Sequence, residues 1–152
     1  MSLYHAIGRL IAPFRVGLFT AHNYVIKVPR AKVLVFNEED EMLLLKSWGA
    51  QPHWGLPGGG AKRKEAPVDA ARRELYEEVR LDIPVAQFTY VTTLQYRYPA
   101  PIFRVTVQKR AVPDVSSVPR ETVDLRWFSI KGLPSDRSPL VDLALKELSK
   151  MD

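Results

Sequence analysis

Glu65, Arg73, Glu74, Glu77 and Glu78 fall within one short stretch, directly after Pro57-Gly58-Gly59-Gly60. Residues three and four apart lie on one face of an α-helix, so Glu74, Glu77 and Glu78 are expected to project together. Like charges at that spacing repel, and the pattern calls for a positive partner among them. The expected partner is a hard divalent cation, because carboxylate oxygens suit Mg²⁺ or Mn²⁺. With no cysteine in the chain, thiolate metal sites, disulfides and cysteine nucleophiles are excluded.

The helix that must present these acids reads Val68, Ala71, Leu75 and Val79 on its other side, an apolar stripe of helical period that predicts burial against a sheet. Ala70, one turn before Glu74, is small and is expected to leave the acidic face open. The preceding glycine turn carries no side chains, so its backbone can approach a ligand closely. A bare E-x-x-E-E on a helix is ordinarily a solvated face; the glycines and the regular spacing before it argue for a site.

The stretch resembles the signature of the Nudix hydrolases, G-x5-E-x7-R-E-U-x-E-E-x-G-U with U aliphatic. It is matched by Gly59, Glu65, Arg73-Glu74-Leu75, Glu77-Glu78 and Leu81, with Arg80 standing where the family has glycine. That glycine ends the helix in a left-handed conformation, which costs another residue on the order of 1 kcal/mol. The helix is therefore expected to stop at Asp82 or Ile83-Pro84, since residues before proline avoid the helical region.

The resemblance implies an α/β (α+β) chain folded as an α/β/α sandwich around a mixed sheet. It also implies a cytoplasmic pyrophosphatase-type hydrolase that cleaves a diphosphate linkage in a nucleoside diphosphate derivative with Mg²⁺ or Mn²⁺. On the matching positions, Glu74, Glu77 and Glu78 would hold metal, with Glu65 and the Gly58 carbonyl assisting. Arg73 would orient a carboxylate, and Glu74 competes with Glu121, on a later loop, for the role of general base; Asp124 is the reserve. Lys62 and Arg63, followed by Lys64, stand where a phosphate chain would lie. Trp48, Trp54, Tyr96 and Tyr98 are aromatic surfaces on which a base could stack, each weighed against ordinary packing.

Substrate choice lies outside the signature. Family members that cleave diadenosine polyphosphates tend to carry a tyrosine where Tyr98 stands, which places nucleoside triphosphates and dinucleoside polyphosphates ahead of nucleotide sugars and capped RNA. Nucleic acid is thus a less favoured partner than a phosphorylated small molecule. A module that binds nucleotide or RNA without cleaving it is the alternative, allowed by the net charge of +5 and by Arg80. Against it, a binder would not need all four acids.

The 152 residues are sized for one domain, 1–152, with residues 1–20 as an amphipathic helical extension. Leu3, Ile7, Leu10, Ile11 and Phe14 recur at helical spacing, a face to be covered by the domain, by a second copy in a homodimer, or by a membrane surface. No apolar window reaches transmembrane length. Residues 24–28 alternate. Ala31 to Phe36 and Met42 to Leu45 read as buried strands joined by a turn at Asn37 to Asp40. Val85 to Tyr98 and Ile102 to Ala111 read as two more, joined by Pro99-Ala100-Pro101. A late strand ends at Trp127-Phe128, and Val141 to Ser149 forms a final helix. His5, His22 and His53 lack ligand spacing and are expected to be structural or surface residues.

Overall fold

The apolar runs on either side of Asn37 are continuous rather than alternating, the mark of strands covered on both faces. They form β1 (Lys32–Phe36) and β2 (Glu41–Ser47), paired antiparallel, in a computed structural model that describes residues 28–48, 53–117 and 121–151. The expected N-terminal helix, residues 24–27, His5 and His22 lie outside the described residues. The turn is fastened by Asn37, 1% exposed, whose Oδ1 accepts from the backbone N–H groups of Glu39 (2.9 Å) and Glu41 (3.0 Å). Asp40 takes the left-handed φ of 57°, which aspartate tolerates better than most residues.

The remaining elements are α1 (Pro67–Val79), β3 (Thr89–Gln95), β4 (Pro99–Thr106), β5 (Thr122–Ser129) and α2 (Pro139–Leu148). The sheet order is β3-β4-β1-β2-β5, with β1 and β4 parallel and the other neighbours antiparallel. A parallel pair needs a crossover connection, and here that connection includes α1.

Strand alternation divides the interior into two cores. Val33, Val35, Leu43, Leu45, Phe103 and Val105 meet Ala70, Ala71, Leu75 and Val79 of α1. Leu34, Phe36, Met42, Leu44 and Ile102 meet Val141 and Ala144 of α2 on the other face. The mixed sheet between helices is the α/β architecture expected from the sequence.

Two expectations are corrected. The β3–β4 connection is Tyr96 to Tyr98, and Pro99-Ala100-Pro101 belongs to β4, not to the turn. The prolines fit because pairing of β4 with β1 begins only at Ile102, so their missing N–H groups fall ahead of that ladder. The strands are also shorter than expected, with short 3₁₀ turns at Val85–Gln87 and Lys109–Ala111.

Candidate functional site

The glycine turn is bound to the start of β1. Val33 N–H donates to the Pro57 carbonyl at 3.0 Å, and Arg30 bridges to Gly60. Gly58 has a φ of +124°, and a Cβ there would sit 2.1 Å from the Ala31 carbonyl oxygen, so only glycine fits. At Gly59 a Cβ would lie 2.6 Å from the Glu74 carboxylate. The bare backbone thus lets α1 bring its acids against the loop. Gly58 N–H completes the contact by donating to Glu78 Oε2 at 2.7 Å.

Arg73 is the hub of the acid face. Its Nε and Nη2 grip Glu65 at both oxygens (2.8 and 2.9 Å), Nη1 reaches Glu74 at 2.7 Å and Glu77 at 3.2 Å, and Nη2 also donates to the Gly60 carbonyl at 2.9 Å. The planar guanidinium suits such bidentate pairing. Glu65 further accepts from Lys62 N–H at 2.6 Å. These contacts, the Arg73 pair above all, hold the Glu65 carboxyl down at about 2, and Glu65 in turn raises Arg73.

A second cation enters from β1. The Lys32 ammonium, half-buried, donates to the carbonyl oxygens of Leu56 (3.2 Å) and Gly58. Burial pushes Lys32 down and Glu78 up to about 7, while their mutual attraction opposes both shifts. Arg30 stands in the same field and lies over the Tyr98 ring at 5.4 Å.

The positive partner that the carboxylate spacing demands is therefore supplied in part by the chain, through Arg73 and Lys32. This changes the expected single acidic patch: Glu74 turns to Gly59, Glu78 to Gly58, and Glu77, 51% exposed at its side chain, to Arg73 and solvent. Among the described residues no three acidic or histidine side chains converge as a ready metal shell. The donor chemistry nonetheless fits a hard cation. The carbonyl of Gly58 accepts from one cationic group already, with Glu78 and Glu74 as the carboxylates attracting it.

Ala70 is fully buried in the α1 core and does not open the acidic face. The helix ends at Val79, and Arg80 itself adopts the left-handed conformation (φ 60°, ψ 23°), its N–H donating to the Tyr76 carbonyl. The stop expected at Asp82 or Ile83-Pro84 is thus replaced by an arginine in the glycine position, whose guanidinium lies over the Tyr76 ring at 5.3 Å.

Trp54 is 5% exposed and meets Phe128 edge-on at 4.8 Å in the α2 core, so it packs and offers no stacking face. Tyr96 is exposed and Tyr98 half-buried under Arg30, both in the β3–β4 turn, so strand alternation does not set where their rings point. Lys62 and Arg63 are exposed beside Glu65. His53 is at the surface, as expected.

Glu121 immediately precedes β5, and its carbonyl accepts from Trp48 N–H. The next residue, Thr122, donates its hydroxyl to the Glu78 carbonyl at 3.0 Å, which ties this loop to the last turn of α1. Asp124, the reserve, accepts from Leu125 N–H and pairs with Arg126. Sequence reasoning missed Lys32, Arg30 and Thr122. A lysine opening an otherwise apolar strand was the available signal for the first.

A cavity of about 500 Å³ lies between β3, β4 and the end of α2, lined by Gln87, Thr89, Arg104 and Met151 among others. It shares no residue with the acid site. No helix among the described residues is long and apolar enough to cross a membrane.

The model of the NUDIX domain matches residues 27–146. A "m7GpppN-mRNA hydrolase dcap-2" of Caenorhabditis elegans is 28% identical over 138 residues, 88% of this chain and 17% of that protein. An "RNA pyrophosphohydrolase" of Mannheimia succiniciproducens is 34% identical over 112 residues, 72% of this chain and 52% of that protein. The chain thus spans only part of the curated relatives it matches. In three dimensions it is similar to a MutT NUDIX hydrolase from Burkholderia pseudomallei, with a TM-score of 0.68, 22% identity, and coverage of 80% of this chain and 97% of that one. At this identity the likeness speaks for the fold.

Proposed function

The chain belongs to the NUDIX family, and from that premise we propose that it is a metal-dependent hydrolase of a diphosphate linkage in a nucleotide derivative. The observation that carries this reading is the seating of Gly58 and Gly59 directly against Glu78 and Glu74, with Arg73 clamping Glu65, Glu74 and the Gly60 carbonyl into one unit. A module that binds phosphates without a metal gains nothing from holding acids there, since they repel the ligand.

Glu74, Glu78 and the Gly58 carbonyl would hold Mg²⁺ or Mn²⁺, with Glu77 able to swing in from its exposed position. A divalent cation there supplies neutralisation of phosphoryl charge and activation of water. Arg73 keeps Glu65 and Glu74 ordered and fixes the loop that carries the Gly58 carbonyl, which is positioning work. A base within hydrogen-bond reach of the attacking water takes its proton as it adds to phosphorus and the bridging oxygen departs. Glu74, already against the loop, competes for this role where Glu78, Glu77 and the Gly58 carbonyl hold the metal without it; Glu121, on the loop that Thr122 ties to the end of α1, is the other candidate. Lys62 and Arg63 border the loop and suit the flanking phosphates, and Tyr98 under Arg30 suits a base.

The relatives named above are described as acting on capped mRNA and on RNA. Together with the net charge of +5, this brings RNA 5′ ends level with nucleoside triphosphates and dinucleoside polyphosphates as the substrate class. The test is product release from a panel of these three, with and without Mg²⁺ or Mn²⁺, in ¹⁸O-labelled water. Metal-dependent cleavage with label in one phosphate product identifies both the substrate and the bond. Stoichiometric binding without turnover across the panel would replace the hydrolase with the binding module.

A further inference from the structure

Lys32 is the one basic residue of β1, and its side chain does not leave the protein. It turns to the glycine loop and donates to the carbonyls of Leu56 and Gly58. The negative charges acting on it are Glu78 and Glu74, on the facing side of α1. A half-buried ammonium forfeits hydration and has to be repaid by close acceptors, and one of these, the Gly58 carbonyl, is among the oxygens assigned above to a divalent cation. An ammonium is a compact charge on a flexible four-carbon stem, so it can be displaced from a carbonyl without the backbone moving.

Resting on the metal site of the proposed function, we propose that Lys32 is a tethered cation that competes with the divalent metal for the Gly58 carbonyl and weakens metal binding by the free protein. The two charges cannot share that oxygen without strong repulsion. The acid face is thereby partly neutralised before metal arrives, which spares the fold the full repulsion of Glu74 and Glu78. Arg73 cannot take this part, because its guanidinium is committed to Glu65, Glu74, Glu77 and the Gly60 carbonyl.

The experiment is titration of the full chain with Mn²⁺ in the absence of substrate, with free Mn²⁺ followed by electron paramagnetic resonance. Wild type, Lys32→Met, Lys32→Arg and Lys32→Met/Glu78→Gln are compared, each with a thermal melt in chelator and in Mn²⁺. Removing the charge should tighten Mn²⁺ binding by about tenfold or more. Lys32→Arg should stay near wild type, and the double variant should lose the gain. Lys32→Met should also melt lower than wild type in chelator and recover more on adding Mn²⁺, an effect that a merely structural lysine would not produce. Equal or weaker Mn²⁺ binding by a folded Lys32→Met, with wild type binding normally, overturns the competition and leaves the hydrolase reading intact. Absence of Mn²⁺ binding in every variant overturns the metal site itself, and the competition with it. If Lys32→Met does not fold in chelator, Lys32→Gln, which keeps a donor for the carbonyls, takes its place under the same criteria.

Discussion

Helices α1 and α2 cover opposite faces of one sheet, and they are built to different standards. In α2, Ser138 caps the N-terminus, Asp142 sits in the first turn and Lys146 in the last, each in keeping with the helix dipole. In α1, Ala66 at the N-cap offers no side-chain bond, the last turn has no basic residue, and Glu74, Glu77 and Glu78 crowd the negative end. Arg80 then adds a left-handed residue that glycine would fill more easily. Local rules that one helix obeys are broken in the other at its two ends and on the face that meets the glycine loop. The buried stripe and the Arg73 network must therefore supply what helix propensity does not.

The largest effect expected is on the stripe. Leu75 is fully buried, and Leu75→Ala should cost about 2–5 kcal/mol in urea unfolding. A loss below about 1 kcal/mol would mean that α1 is not held by its apolar face, and the comparison would fail.

Next comes the Arg73 clamp. The carboxyl of Glu65 is held at about 2 against an ordinary value of 4.5. A depressed carboxyl stabilises the fold fully above its unfolded value and loses that contribution as pH falls through the folded one. On the order of 3 kcal/mol should then disappear between pH 4.5 and 2, and Arg73→Met should lack that part of the acid profile. On α2 the corresponding ion pair, Arg137 with Asp142, leaves the acid 53% exposed, and Arg137→Met should change stability by less than about 1 kcal/mol. Chemical denaturation of the variants from pH 2 to 7 makes this comparison; parallel profiles for Arg73→Met and wild type would remove the clamp from the account.

The smallest effects are at the helix ends. Ser138→Ala should lose about 1 kcal/mol from α2, and Arg80→Gly should gain about as much for α1. If Arg80→Gly instead destabilises, the contact of its guanidinium with Tyr76 outweighs the backbone cost.

The parts of this molecule that were legible in the sequence are those fixed by short-range periodicity. The α1 stripe, the two apolar strands around Asn37, and the spacing from Gly59 to Leu81 all depend on neighbours a few residues apart. What escaped depends on pairings across the fold. Lys32 reaches the glycine loop only because β1 runs beside Pro57 and Gly60, and Trp54 is buried only because α2 covers that face. Pro99 and Pro101 enter a strand because the ladder with β1 starts one residue later. The backbone preference against Arg80 in the glycine position, about 1 kcal/mol, is too small to move a helix end that Val79 and Leu81 anchor in the core.

If the acids packed against the glycine loop serve hydrolysis, turnover must depend on the charge of Glu78, which is bound to Gly58 N–H. Turnover of the best substrate from the panel should be measured for wild type and Glu78→Gln at saturating Mg²⁺ or Mn²⁺. Gln keeps the shape and the acceptor for Gly58, so the fold should persist while turnover falls by roughly three orders of magnitude or more. Turnover within a few-fold of wild type in a folded Glu78→Gln would mean that these acids do not serve hydrolysis.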